Sequence, residues 1–286
     1  MGIIAIPGFS EPFSSISHLL TAGVALVGFF FLYRKGRGNG ARVFALAVYS
    51  FSLVFLFSMS GVYHLLDPRF LPHEVFQRLD HAAIWTLIAG TFTPLHMILF
   101  RDHWRWGVLL LVWGIAITGL TLELVFFTDV PAWLSLSFYL GLGWLGVLTS
   151  WHFRRTFGDP SIRYMWMGGF YYSLGGLLDY LHWPVIIPGV VGPHALFHVC
   201  VIIGAFYHWW FIYKWAHYPT RNHLTFEVSV FPDKRYIAKA VGENLTIEAR
   251  SIDELRQKIR ERVNQIFNVN MLPTSIRLKY FEEEVL

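Results

Sequence analysis

Two histidines four residues apart, His194 and His198, stand in the apolar run PHALFHVCVIIGAF (193–206), where leucine would be the usual residue. Residues four apart lie one above the other on a helix face, so the two imidazoles can reach one metal ion. Two ligands are too few for zinc, which takes four protein ligands in structural sites and three plus a water in catalytic ones. His64, in SMSGVYH, is the natural third. Three neutral imidazoles would leave a position for a water whose pKa the metal lowers to about 7. Asp80, one short loop after His64, is placed to accept a proton from that water or to hold it. Ser60, one turn before His64, could hydrogen-bond to the water or to a developing oxyanion, or be a helix-packing serine. Three imidazoles suit zinc but also nickel, copper or iron.

What must position these residues is a membrane bundle. Of 286 residues only 15% are charged, 12 are Trp and 26 are Phe, and the mean hydropathy is +0.45. Soluble domains carry roughly 25% charged residues. Seven apolar runs can be drawn, at 15–33, 42–65, 79–100, 104–127, 132–151, 163–182 and 194–215. Each has the ~20 residues that cross a hydrocarbon core of ~30 Å, and backbone that cannot stay unpaired in lipid must be helical there. The expected fold is an all-α seven-transmembrane helix bundle over residues 1–217. The single cysteine, Cys200, excludes a disulfide framework and a cysteine metal site.

Consecutive spans run antiparallel, so the starts of odd spans and the ends of even ones share a membrane face. Glu11 and His18, Ser60 and His64, Asp80 and His81, Glu123, Asp179 and His182, and His194 and His198 all fall on that one face. An ionisable residue inside a span points to function by default. Glu123 and Asp179 could each be a partner of the metal site or an interfacial acid, and the interfacial reading is favoured. Glycines 141, 143 and 146 in span five and 168, 169, 175 and 176 in span six are read as sites of close helix packing.

Basic residues concentrate in the first, third and fifth loops, with Arg34, Lys35, Arg37, Arg42, Arg101, Arg105, Arg154, Arg155 and Arg163, and in the tail, with Lys214 and Arg221. The positive-inside rule then predicts a cell-membrane protein with its N-terminus outside and its C-terminus cytoplasmic. It also accounts for these charges without nucleic acid.

After Tyr218 the pattern changes. HLTFEVSVF alternates apolar and polar residues as a half-buried strand does, a second strand is expected near Tyr236–Ala240, and SIRLKYF (275–281) alternates again. Ser251 and Glu254 have capping-box spacing at the head of a helix whose apolar face is Ile252, Leu255, Ile259, Val263 and Ile266. Residues 218–286 are therefore expected to form a cytoplasmic ββαβ module, a soluble α+β unit suited to a protein partner.

SMSGVYH, LDHAAIWTLIAGTFTP, PGVVGPHALFH and the spacing in EPFSSISH resemble the hemolysin III branch of the progestin and adipoQ receptor family. Those seven-helix proteins are related to adiponectin receptors and, more distantly, to alkaline ceramidases. The resemblance covers residues 11 to about 215. It implies Zn2+ on His64, His194 and His198, Asp80 beside the metal's water, and a lipid cavity in which an amide-linked fatty acid is hydrolysed. Ser14 and Ala195 depart from the asparagine and glutamate often found at those places. Three functions follow. The first is a zinc-dependent lipid hydrolase acting on an N-acyl membrane lipid, with Asp80 as base and Ser60 as oxyanion donor. The second is a non-enzymatic lipid-responsive receptor with a structural zinc. The third and weakest is a pore-forming hemolysin, since a conducting path should be polar through the full depth of the bilayer.

Overall fold

A computed structural model describes residues 9–218, 223–233, 235–241, 245–266, 273 and 275–282, so Arg221 lies outside the described residues. The chain divides into two compact units, Met1–His217 and Tyr218–Leu286. The first is helical: α1 (Pro12–Gly36), α2 (Gly40–Tyr63), α3 (Leu71–Leu99), α4 (Asp102–Val125), α5 (Ala132–Trp144), α6 (Gly146–Phe157), α7 (Ile162–Tyr180) and α8 (Pro193–Trp215). Proline opens α1, α3 and α8 at a first-turn position, where the missing N–H removes a donor that would have had no partner anyway. Asn39 caps α2 by accepting from the Arg42 amide at 3.0 Å. Gly158, left-handed at φ 63°, ends α6.

Among the described residues six helices are long and apolar enough to cross a membrane: α1, α2, α3, α4, the broken α5–α6 rod (Ala132–Phe157) and α8. The seventh expected span falls on α7, which has 19 residues but dilutes its apolar character with Gly168, Gly169, Gly175 and Gly176, tyrosines and Ser173. Helix α3 begins eight residues before the expected boundary because LPHEVFQRL can extend the helix past the apolar run. The buried side of the unit is rich in small residues, Ala45, Ala82, Ala83 and Ala89 among them, while Leu20, Val24, Leu110, Leu111 and Phe170 point outward. Apolar residues on both sides of a helix are what a lipid-embedded bundle requires.

Sequential helices pack in pairs, and α1 also packs against α8 to close the bundle. At Gly168 and Gly175 the expected close approach is present: an added Cβ would collide with His208 at the first and lie 2.7 Å from the Cys200 Cβ at the second. Gly141 and Gly143 do not behave so, since nothing lies within 4 Å of where their Cβ would be. Gly143 borders a cavity, which it lines, rather than a neighbouring helix.

Arg42, counted above as an orienting loop charge, is buried at 4% exposure. Its Nε donates to Gly36 O at 3.2 Å, Nη1 to His217 O at 2.8 Å and Nη2 to Arg37 O at 3.2 Å. One guanidinium thus ties the α1–α2 turn to the end of α8. Burial, with Lys35 and Arg42 nearby, pushes the His217 imidazole below its ordinary range. Hydrogen bonds from a charged group contribute about 1.5–3 kcal/mol each, so Arg42→Ala should destabilise the bundle by about 3 kcal/mol or more, read as a lower unfolding midpoint in detergent. Arg42→Lys should recover less than half of that loss, because an ammonium lacks the planar fork that spans three carbonyls.

The second unit holds a four-stranded sheet in the order β3-β2-β1-β4, built from β1 (His223–Val230), β2 (Tyr236–Ala240), β3 (Thr246–Ala249) and β4 (Ser275–Glu282), with α9 (Ile252–Ile266) between β3 and β4. β1 pairs antiparallel with β2, Phe226 facing Ala240, and parallel with β4, Phe226 facing Leu278. The order is therefore βββαβ rather than the expected ββαβ. β3, the four-residue TIEA, is too short for its alternation to be visible. Leu224, Phe226, Val228, Ala238, Ala240, Ile247 and Ala249 form one core with Leu255, Ile259 and Val263. Half of the expected capping box is formed: Ser251 Oγ accepts from the Glu254 amide at 3.2 Å, while the Glu254 carboxylate reaches one residue further back and accepts from the Arg250 amide at 2.9 Å. Lys258, hydrogen-bonded to Glu254, holds that carboxyl below its usual range.

Candidate metal centre

Backbone contacts bring the helix ends together. The Glu11 amide donates to His64 O at 2.9 Å, the Ser10 amide to Leu65 O at 3.3 Å, and Ser15 Oγ to Gly61 O at 2.8 Å, which fixes the head of α1 against the tail of α2. His64 caps α2, its amide donating to Ser60 O at 3.1 Å. His194 sits in the first turn of α8, and His198 one turn further along.

His194 Nε2 lies 3.3 Å from His64 Nε2 and 3.1 Å from His198 Nε2. The three imidazoles form a group whose ligand atoms all lie within 4.8 Å of one another and which can hold a metal ion. Three like nitrogens converging on one point are a poor hydrogen-bond arrangement and a good ligand set. Zn–N bonds of about 2.0–2.1 Å at tetrahedral angles would separate neighbouring nitrogens by roughly 3.3–3.4 Å. On two of the three rings the other nitrogen faces a carboxylate: His64 Nδ1 is 3.1 Å from Glu11 Oε2, and His194 Nδ1 is 3.1 Å from Asp179 Oδ1. Such partners fix the tautomer that leaves Nε2 free for a metal. The His198 ring stacks on His18 with centroids 3.9 Å apart, and His18 meets Phe57 edge-on at 5.0 Å. Among the described residues no carboxylate joins the three nitrogens.

Ser60 is buried on α2 one turn before His64, and Asp80 stands on α3. Both line, with His194, a cavity of about 840 Å³. Its lining runs from His194 to His208 on α8 and from Asp80 to Leu95 on α3. At 1.5 Å per residue these are about 21 and 22 Å of helix. The cavity is long, apolar for most of its length, and polar where the histidines stand. Ionisable groups on the opposite side are engaged with protein partners. His96 bonds the Trp104 carbonyl and lies 3.1 Å from Thr149 Oγ1, and His208 Nε2 lies 3.2 Å from Met165 O.

Residues 9–209 match a family described as "Haemolysin-III related". The chain belongs to the haemolysin-III related family. It is similar to "Hemolysin-3" of Bacillus cereus, 28% identical over 175 residues, which is 61% of this chain and 76% of the relative. It is similar to the "Hemolysin-3 homolog" of Bacillus subtilis (strain 168), 25% identical over 197 residues, or 66% and 88% of the two. It is also similar to "Progestin and adipoQ receptor-like protein 1" of Caenorhabditis elegans, 27% identical over 242 residues, or 74% of this chain and 55% of the relative.

The haemolysin-III region thus contains the three histidines, Asp80 and Ser60, and it also contains two residues whose places differ from the expectation. Asp179 is the partner of His194 rather than an interfacial acid. Glu123 is buried and accepts from the Trp85 indole at 3.1 Å, the Tyr139 hydroxyl at 2.8 Å and Ser135 Oγ at 3.4 Å, with His81 Nδ1 3.1 Å away. The one available sequence signal was that every acid in the spans falls on the histidine face.

Proposed function

We propose that this haemolysin-III chain is a seven-helix membrane hydrolase that holds zinc on His64, His194 and His198 and cleaves the amide of an N-acyl lipid such as ceramide. One observation carries the reading: His194 of the three-imidazole set lines, together with Asp80 and Ser60, the polar end of a cavity some 20 Å long, the shape of an acyl chain leading to its carbonyl. Zinc would supply Lewis acidity there, lowering the pKa of a water to about 7 and polarising the carbonyl. Asp80 takes the proton of the attacking water. Ser60 is the hydroxyl available to the developing oxyanion. The apolar wall holds the chain and excludes bulk water from the reacting end. In this reading helix α7 makes the seventh crossing, and the loop charges support an N-terminus outside and a second unit in the cytoplasm.

The folded second unit, which lies beyond the family match, favours a second reading, in which a structural zinc stabilises a lipid-responsive receptor and the module contacts a cytoplasmic protein. Metal analysis beside an assay of fatty-acid release from N-acyl lipids separates the two. About one zinc per chain with release supports the hydrolase. One zinc without release from any N-acyl lipid would remove it in favour of the receptor.

A further inference from the structure

A second polar assembly stands on the wall of the same cavity. Glu123 Oε1 faces His81 Nδ1 at 3.1 Å and Ser135 Oγ at 3.4 Å, while Oε2 accepts from Trp85 Nε1 at 3.1 Å and Tyr139 Oη at 2.8 Å. An ionised carboxylate offers about four acceptor positions, and here all four are taken by side chains of α3 and α5. Glu123 therefore has nothing left with which to grip a ligand. His81 does: its side chain is 40% exposed, it lines the cavity, and with its Nδ1 proton directed at Glu123 its Nε2 is the nitrogen that can gain or lose a proton. A carboxylate holding an imidazole in one tautomer is the arrangement by which proton-transferring histidines are oriented. Support of the helices alone would not call for an ionisable acid in a membrane span, where it is costly, nor for the network to end in a half-exposed imidazole. His81 directly follows Asp80 on α3, about 100° around the helix, and both open onto the cavity.

We infer that His81, oriented by Glu123, is the proton donor to the leaving amine in the hydrolysis proposed above; the inference rests on that reading. Amide cleavage needs such a donor because an amide anion is too basic to leave. Water oxygen forms the new C–O bond while Asp80 takes its proton. When the C–N bond breaks, its electron pair stays on nitrogen, which takes the proton from His81 Nε2. The proton on Asp80 then returns to His81 or to solvent, and the balance is amide plus water to carboxylic acid plus amine.

A phenolate leaves without protonation, and that gives the test. Purified wild type, His81→Gln and Glu123→Gln are assayed on an N-acyl sphingosine and on the 4-nitrophenyl ester of the same fatty acid, with bound zinc measured in each. The expected result for His81→Gln is a fall of about 10²–10⁴-fold in kcat on the amide, a far smaller fall on the ester, and unchanged zinc. Glu123→Gln, which keeps the side-chain volume, should show the same split to a smaller extent, because it acts by positioning His81. Equal loss on both substrates, loss of zinc in His81→Gln, or an amide rate within a few-fold of wild type overturns the inference and leaves the hydrolase standing. If wild type cleaves neither substrate, the hydrolytic reading itself has failed.

Discussion

Purified His194→Ala should contain almost no metal where wild type contains about one equivalent, the largest change expected of any single substitution in the centre. His194 is the middle ligand: its Nε2 is within 3.3 Å of both other ring nitrogens, so its loss leaves His64 and His198 with nothing between them. Two imidazoles do not make a zinc site. The same variant should lose the metal's contribution to folding. A ligand present at 100 to 1,000 times its Kd stabilises the native state by about 2.7–4.1 kcal/mol, so the unfolding midpoint of wild type should fall on chelation and rise again with zinc, while that of His194→Ala should respond to neither. Asp179→Asn sits one step out, 3.1 Å from His194 Nδ1, and partners of this kind are worth about 10–100-fold in metal affinity. It should bind metal, only more weakly. Wild-type metal content in His194→Ala, measured by plasma mass spectrometry after dialysis, would show that the three nitrogens do not act as one site.

That gradation from ligand to partner shows where sequence reasoning succeeds and stops. His64 could be joined to His194 and His198 without coordinates because alternating helix direction puts the end of α2 and the start of α8 on one face, whatever the details of packing. Distance along the bundle axis follows from counting residues; rotation about each helix does not. The four donors around Glu123 come from α3 and α5, and only their rotational setting distinguishes a buried, fully bonded carboxylate from an interfacial one. The same rotational setting decides between the two roles open to Asp179 and puts it against His194. Local dilution of the apolar signal explains the other differences: tyrosine and glycine lower α7 below the other helices, and a four-residue strand such as β3 offers no periodicity to read. Arg42 shows the converse, since a basic residue in a loop counts toward orientation by sequence although its guanidinium is buried against three carbonyls.

The second large effect concerns Asp80, and its direction decides what the centre is for. Asp80→Asn keeps shape and removes the basic oxygen. Because among the described residues no carboxylate lies with the three nitrogens, the variant should keep its zinc and its unfolding midpoint. Its fatty-acid release should nevertheless fall by about 10²–10⁴-fold, the usual contribution of a positioned general base. Ser60→Ala should fall by about 10²–10³-fold if its hydroxyl serves the oxyanion. The two side chains line the same cavity and serve one step of the proposed reaction, so the double variant should lose less than the product of the single losses. A merely supportive serine would give a smaller fall and would lower the midpoint instead. If Asp80→Asn sheds the metal, the fourth ligand is Asp80 itself. The site is then closed, and the zinc belongs to a receptor's architecture rather than to a reaction.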